Sequence, residues 1–253
     1  MTTSLPEICQ QLIRAYARLD FGHGRTVAAP YYKNNPKQRR FTTPVEGGKG
    51  TPNEIILETK IRAREQGINF DPLIPALIRE FMMREGIGID CSGFAARVMD
   101  CLVRATTGQS FTQAIKPMGY GWRKIVYHFR PFQNTNVLTL TSPVNSNPAA
   151  LPTLQPGDLI RTRGGNHVLL VTDVVRDTGG CIQDFRYAHS SGQFGEESGV
   201  RTGEVTITNP QEDLAHQEWK EVWNGTIPSR EGWEENHEKN GIFRLRVLKE
   251  GES

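Results

Sequence analysis

Four cysteines in 253 residues, Cys9, Cys91, Cys101 and Cys181, are too few and too scattered to be a disulfide framework. None belongs to a Cys-x-x-Cys pair, and a chain of this length can build a core without covalent staples, so all four read as thiols. The six histidines have no short ligand spacing to one another or to the cysteines, so neither a metal nor a cofactor is expected. Neither charge sign dominates: 30 Lys and Arg stand against 28 Asp and Glu, and a net charge of +2 gives no electrostatic footprint for nucleic acid. No apolar run approaches the roughly 20 residues that span a bilayer, which excludes an integral membrane helix. The opening, MTTSLPEICQQLIRAYARLD, lacks the basic start, apolar centre and small-residue cleavage site of a secretory signal. As written, the chain is expected to stay in the cytoplasm.

What is present is ordered by helix and strand signals. Ile8, Leu12, Ala15, Tyr16 and Leu19 place an apolar face on a helix over residues 5–20, with Cys9 beside that stripe. Residues 22–50 are rich in Gly, Pro, Asn and basic side chains without a sustained period, which reads as a loop or crossing. Lys33, Lys37, Arg39, Arg40 and Lys49 there are either a solvated face or an attraction for an acidic substrate. Thr51-Pro52-Asn53-Glu54 combines an N-cap, a first-turn proline and a capping-box glutamate, so a helix should run to Gln66 and end at Gly67. A second helix is expected over Pro72 to Arg84, and a third starts at Cys91.

The second half carries the strand signals. Residues 105–153 read as an insertion containing an aromatic strand around Trp122 to Phe132. Leu154-Gln155-Pro156-Gly157-Asp158 then turns into a strand from Leu159 to Arg163, and Gly164-Gly165-Asn166 turns again into the β-forming run His167 to Val175. Asp177-Thr178-Gly179-Gly180 returns the chain as Cys181 to His189, completing a three-stranded antiparallel meander. Val205 to Thr208 and Ile242 to Leu248 are later strands, separated by a helical stretch over Glu212 to Trp223.

Cys91 stands at a helix start with Asp90 as its cap, and Phe94, Val98, Cys101 and Leu102 share its helical face. Unpaired amides and the helix dipole at such a position can lower a thiol from about 8.5 toward neutrality. A small buried hydrophobe is the plainer reading of a cysteine, and it suits Cys101. A nucleophilic cysteine needs a base, and the base needs an orienting partner. His167 and His189 lie 11 residues either side of Thr178, so a hairpin centred there makes them cross-strand neighbours. A slip of one residue would keep them close but on opposite faces. Each alone is an ordinary strand-edge or loop histidine; with Cys91 they form a nucleophile, a base and an orienter. His23, His128, His216 and His237 have no comparable setting and are assigned surface or packing roles.

Asp90-Cys91-Ser92-Gly93-Phe94, then Leu154-Gln155-Pro156-Gly157-Asp158-Leu159, then His167-Val168 opening a strand, then Ala188-His189-Ser190, resembles the NlpC-type cysteine peptidases of bacterial cell-wall metabolism in order and local motif. The resemblance covers residues 86–192. It implies an α+β, papain-like fold with N-terminal helices packed on a central antiparallel β-sheet, plus insertions. On that plan residues 1–85 are a helical and loop extension packed on the core, and 86–253 are the peptidase domain, with its insertion at about 105–153. Two features depart from the family: no glycine stands two places after His167, and no Tyr-x-Trp-Gly-Gly element precedes the cysteine. Tyr31-Tyr32, after Pro30, is not assigned that role.

The resemblance implies a thiol-dependent amide hydrolase in which Cys91 is the nucleophile, His167 the base and His189 the third member. The oxyanion would be met by the backbone amides of Cys91 and Ser92. The expected partner is a peptidoglycan stem peptide or another amide substrate, cut by an endopeptidase through an acyl-enzyme, with export by another route if the target is the cell wall. Two alternatives stay open: a thiol acyltransferase or deamidase using the same three residues, and a papain-like binding module that has lost turnover.

Overall fold

The apolar, β-forming segments after residue 145 build most of one eight-stranded sheet in the computed structural model, which describes residues 1–32, 45–118 and 127–248. In chain order the strands are β1 (Thr2–Ser4), β2 (Leu19–Asp20), β3 (Thr26–Val27), β4 (Ser146–Ala149), β5 (Leu159–Thr162), β6 (His167–Arg176), β7 (Ile182–Ser191), β8 (Gly199–Thr206), β9 (Glu218–Trp219) and β10 (Gly241–Leu245). The main sheet runs β4-β10-β5-β6-β7-β8-β9, with antiparallel pairing along that path, while β2 and β3 form a separate pair. β5 covers only the start of β6, where Leu159 faces Leu170, and β1 pairs with the other end, where Thr2 faces Val175.

Both faces of β6 from His167 to Thr172 and of β7 from Tyr187 to Ser191 are buried, which explains why His167 to Val171 reads as a continuous apolar run rather than an alternation. On one face Val168, Leu170 and Ala188 join a core with helices α1 (Glu7–Ala17), α2 (Pro52–Glu65), α3 (Pro75–Arg84) and α4 (Cys91–Thr107). On the other, Leu169, Val171, Phe185 and Tyr187 pack with Val205, Leu214, Trp219 and Trp233. The chain is therefore α+β, with a mostly antiparallel sheet. Among the described residues no helix is long and apolar enough to cross a membrane.

Several local expectations hold, and others are corrected. Thr51 and Glu54 exchange both capping-box bonds, so α2 starts where its sequence signals place it. The buried stripe of α1 is Cys9, Ile13 and Tyr16, whereas Ile8 is 60% exposed. The two stripes share Tyr16, whose hydroxyl donates to the Gly50 carbonyl at 2.9 Å, and the buried face is turned from it toward Cys9 and Ile13 rather than Ile8 and Leu12. The expected helix over Glu212 to Trp223 is instead a single turn, Leu214–His216, followed by strand β9. Trp219 there serves the sheet core, its indole donating to the Leu214 carbonyl. Within the expected aromatic strand, residues 119–126 lie outside the described ones, and Tyr127 to Phe129 are helical.

The β6–β7 hairpin is closed by a bond from the Asp177 amide to the Cys181 carbonyl at 2.9 Å, so it centres on Gly179, not Thr178. Leu170 consequently faces Ala188, and His167 and His189 are diagonal neighbours offset by two positions rather than directly opposed. Because strand side chains alternate with a period of two, this offset leaves both rings on one face and within reach of each other.

The Leu154-to-Leu159 motif is held by a buried ion pair. Arg244, on β10, donates from Nε and from a terminal nitrogen to the two Asp158 oxygens, both at 2.8 Å, and Asp158 also accepts the Gln155 amide. Asp158 is fully buried, so removing its cation strands a charge in the core. Arg244→Met is expected to cost about 3–5 kcal/mol in urea unfolding, and the double variant with Asp158→Asn distinctly less. Equal losses in the two proteins would contradict this account of the pair.

Candidate active site

Helix α4 begins on Asp90, whose Oδ1 accepts the Gly93 amide at 2.6 Å and caps the first turn. The residues just before the helix are gripped from two sides. Ile89 pairs with Tyr31 and with Lys49, its amide donating to the Pro30 carbonyl, and the Asp90 amide donates to the Gly48 carbonyl at 3.0 Å. Gly93 is required by this grip: a Cβ there would fall 2.3 Å from the Gly48 oxygen.

The β6–β7 ladder ends at Leu170–Ala188, and beyond it the residues at the start of α4 contact both strands. From β7, the Ser190 hydroxyl donates to the Ile89 carbonyl at 2.7 Å. On the β6 side, the Cys91 sulfur lies 3.7 Å from the Asn166 carbonyl and takes the Val168 amide, so it bridges the backbone on either side of His167. The Ser92 amide also faces the sulfur.

From His167 a chain of hydrogen bonds runs inward. Its Nε2 meets His189 Nδ1 at 2.9 Å, and His189 Nε2 meets Glu221 Oε1 at 3.0 Å. Glu221 also accepts from Arg201 Nε at 2.6 Å, the Tyr187 hydroxyl at 2.7 Å and the Ser229 hydroxyl at 2.6 Å. Reading outward from the carboxylate with both rings neutral, His189 must donate from Nε2, accept at Nδ1, and thereby take the proton of His167 Nε2–H. The lone pair left over is on His167 Nδ1. Arg201 is itself fixed, stacked 3.4 Å over the Phe194 ring.

Burial dominates the protonation equilibria. It pushes the Cys91 thiol up to about 12, helped by Asp90 and opposed by Lys49 and the Ser92 and Val168 amides. Burial, His189 and Arg163 hold the His167 imidazole well below its ordinary value, with Glu221 acting the other way. The expectation that a helix start would bring the thiol down to neutrality is thus overturned, because water exclusion outweighs the dipole. Burial also opposes the Glu221 charge, but the His189 ring and hydrogen bonds from His189, Ser229 and Tyr187 overcome it and hold the carboxyl at about 2.

The structure sets Cys91 and Ser92 against the β6 backbone that flanks His167 and pairs the His167 and His189 rings. To these it adds Glu221, and it gives Tyr31, left unassigned in the sequence, and Lys49, expected on a solvated face or attracting an acidic substrate, places beside Cys91 and Asp90. Glu221 was hidden in the segment Glu212 to Trp223, which reads as a helical stretch between two strands. Tyr31 hydrogen-bonds the Cys91 sulfur, and burial with the nearby Cys91 and Asp90 keeps its phenol protonated. Lys49 is buried beside Asp90. A lysine framed by glycines in Gly47-Gly48-Lys49-Gly50 was a usable signal, since glycines permit the close approach that buries it. Among the described residues no cluster of three or more His, Cys, Asp or Glu is arranged to hold a metal ion.

Compared with protein-family models, curated proteins and solved structures, the chain matches none.

The Glu221 network has a pH signature. A carboxyl held at about 2 in the fold against an ordinary 4.5 contributes stability that is fully present above pH 4.5 and lost as pH falls toward 2. That contribution is about 3 kcal/mol. In Glu221→Gln the fall in unfolding free energy between those pH values should be shallower by that amount; parallel curves for the two proteins would count against the network.

Proposed function

We propose that this protein is a thiol-dependent amide hydrolase of papain-like architecture, with Cys91 as nucleophile, His167 as base and His189 as its orienting partner. The observation that carries the reading is the seating of the Cys91 sulfur against the backbone on both sides of His167, at the open end of the His167–His189–Glu221 chain. Packing alone gives no reason to bury two imidazoles and a carboxylate in series behind a thiol.

In this mechanism the thiol and imidazole rest as a neutral pair, since burial opposes charge on both. As the sulfur attacks an amide carbonyl, its proton passes to His167 Nδ1, and the imidazolium is stabilised through His189 by the Glu221 carboxylate. The oxyanion is met by the Cys91 and Ser92 amides, the first two of the helix and without intrahelical acceptors, and by the protonated Tyr31 phenol. The C–N bond breaks as His167 returns the proton to the leaving amine. Water, losing a proton to His167, then cleaves the thioester and regenerates the thiol.

The substrate class rests on the resemblance to NlpC-type enzymes, which implies peptide stems of peptidoglycan, often at bonds involving D-glutamate and diaminopimelate. Digestion of purified muropeptides followed by mass spectrometry tests it: wild type should release a new amine and a new carboxylate, and Cys91→Ala neither. His167→Ala should lose about 10²–10⁴-fold in rate. Cleavage that survives Cys91→Ala would overturn the nucleophile. A wild-type protein that alkylates at Cys91 in a His167-dependent way, yet cuts no stem, would move the substrate to another amide.

Loss of one oxyanion donor is worth about 10²–10³ in kcat. Tyr31→Phe is therefore expected to lower kcat with little change in KM, and a Tyr31→Phe enzyme as fast as wild type would remove the phenol from the site.

A further inference from the structure

Lys49 is 5% exposed, an unusual place for an ammonium group unless something holds it. Its Nζ donates to Asp90 Oδ1 at 2.8 Å and to the Ser92 hydroxyl, while the Ser92 hydroxyl donates onward to the same Asp90 oxygen at 3.0 Å. Lys49, Asp90 and Ser92 thus close a ring around the residue between the last two, Cys91. The lysine backbone is pinned as well, because Arg97 Nε donates to its carbonyl at 2.8 Å, and Arg97 is stacked on the Phe132 ring.

This arrangement is more than a helix cap needs. Asn and Ser cap helices about as well as Asp, and neither would place a carboxylate one residue from the sulfur. The Asp90 carboxylate opposes a thiolate at Cys91, and the Lys49 ammonium favours one. Because Lys49 sits in an ion pair and the Ser92 hydroxyl is already engaged at both ends, this cluster does not make Ser92 a second nucleophile: the lysine has no free base to offer it. The other polar groups against the sulfur are the Tyr31 phenol from the N-terminal segment and, from β6, the Asn166 carbonyl and the Val168 amide either side of His167, whose ring is turned to His189 and has Arg163 nearby.

Building on the assignment of Cys91 as nucleophile, we propose that Lys49 is a positioning residue that cancels the Asp90 cap charge beside the sulfur, so that negative charge can develop there during attack. It touches neither substrate nor sulfur in this role and acts through Asp90. The cap keeps its geometric function while its electrostatic penalty on the nucleophile is removed. The cost of burying an ammonium group is offset by two fixed acceptors.

The test is the pH dependence of iodoacetamide alkylation at Cys91, followed by peptide mapping, in wild type, Lys49→Met, Asp90→Asn and the double variant, with His167→Ala as a reference. Lys49→Met should move the profile to higher pH by about one unit, a roughly tenfold slower reaction at any fixed pH below the midpoint. Asp90→Asn should move it to lower pH, and the double variant should return most of the Lys49→Met shift. A merely structural lysine would give no such compensation. If Lys49→Met does not fold, the Asp90→Asn arm still decides, since an unmoved profile there overturns the proposal. So does a double variant as shifted as Lys49→Met. His167→Ala separates the two failures: a profile insensitive to His167 sinks the nucleophile assignment itself, whereas one that responds to His167 and ignores Lys49 and Asp90 sinks only this inference.

Discussion

The gap where β6 and β7 part is the constraint on which the site depends. Beyond Leu170 and Ala188, strand groups that would otherwise bond each other are free to receive the start of α4. The Val168 amide and Asn166 carbonyl turn to the Cys91 sulfur, and Ser190 takes the Ile89 carbonyl. A helix start inserted there needs its preceding residues held extended, which the Pro30–Tyr31 and Gly48–Lys49 segments do. One insertion therefore accounts for the thiol's depth, for the glycine at position 93, and for the approach of two distant N-terminal segments.

Depth has an electrostatic consequence. Desolvation acts in the same direction on a thiol and an imidazole, favouring the uncharged form of each, and here it raises one and lowers the other. A helix dipole contributes about 0.3–1 kcal/mol, too little to reverse that. Under the proposed chemistry, charge separation is deferred to the moment of attack, when the oxyanion donors and the buried carboxylate share it. Glu221 suits this role because four donors, from His189, Arg201, Tyr187 and Ser229, keep it ionised in an interior that would otherwise protonate it.

Local signals carried much of this arrangement into the sequence. The Thr51–Glu54 box, the Asp90 cap and the His167 strand start depend on neighbouring residues, and each was legible from them. The pairing of His167 with His189 was legible in kind and off in register, because a turn one residue later than expected shifts the opposed position by two, which happens to conserve the face. Glu221 was invisible because its partners come from β7, β8 and the helix Pro228–Glu234, whose meeting in space no local pattern reveals. Tyr31 and Lys49 were visible in the sequence, but their place beside Cys91 was not, for a related reason: the backbone around them is ordered by completing another element's hydrogen bonds, as it does at Ile89, and not by any periodicity of its own.

Through the two hydrogen bonds in series, the Glu221 carboxylate fixes the tautomers of both histidines and leaves His167 Nδ1 as the bare nitrogen, the one the proposed chemistry requires. Nitrogen-15 NMR of histidine-labelled protein near neutral pH measures this directly, with His167→Ala and His189→Ala assigning the signals. Protonated Nε2 and unprotonated Nδ1 are expected on both rings. A proton on His167 Nδ1, with its Nε2 bare, would contradict this, because the lone pair would then face His189 and the proposed base would have none to receive the thiol proton.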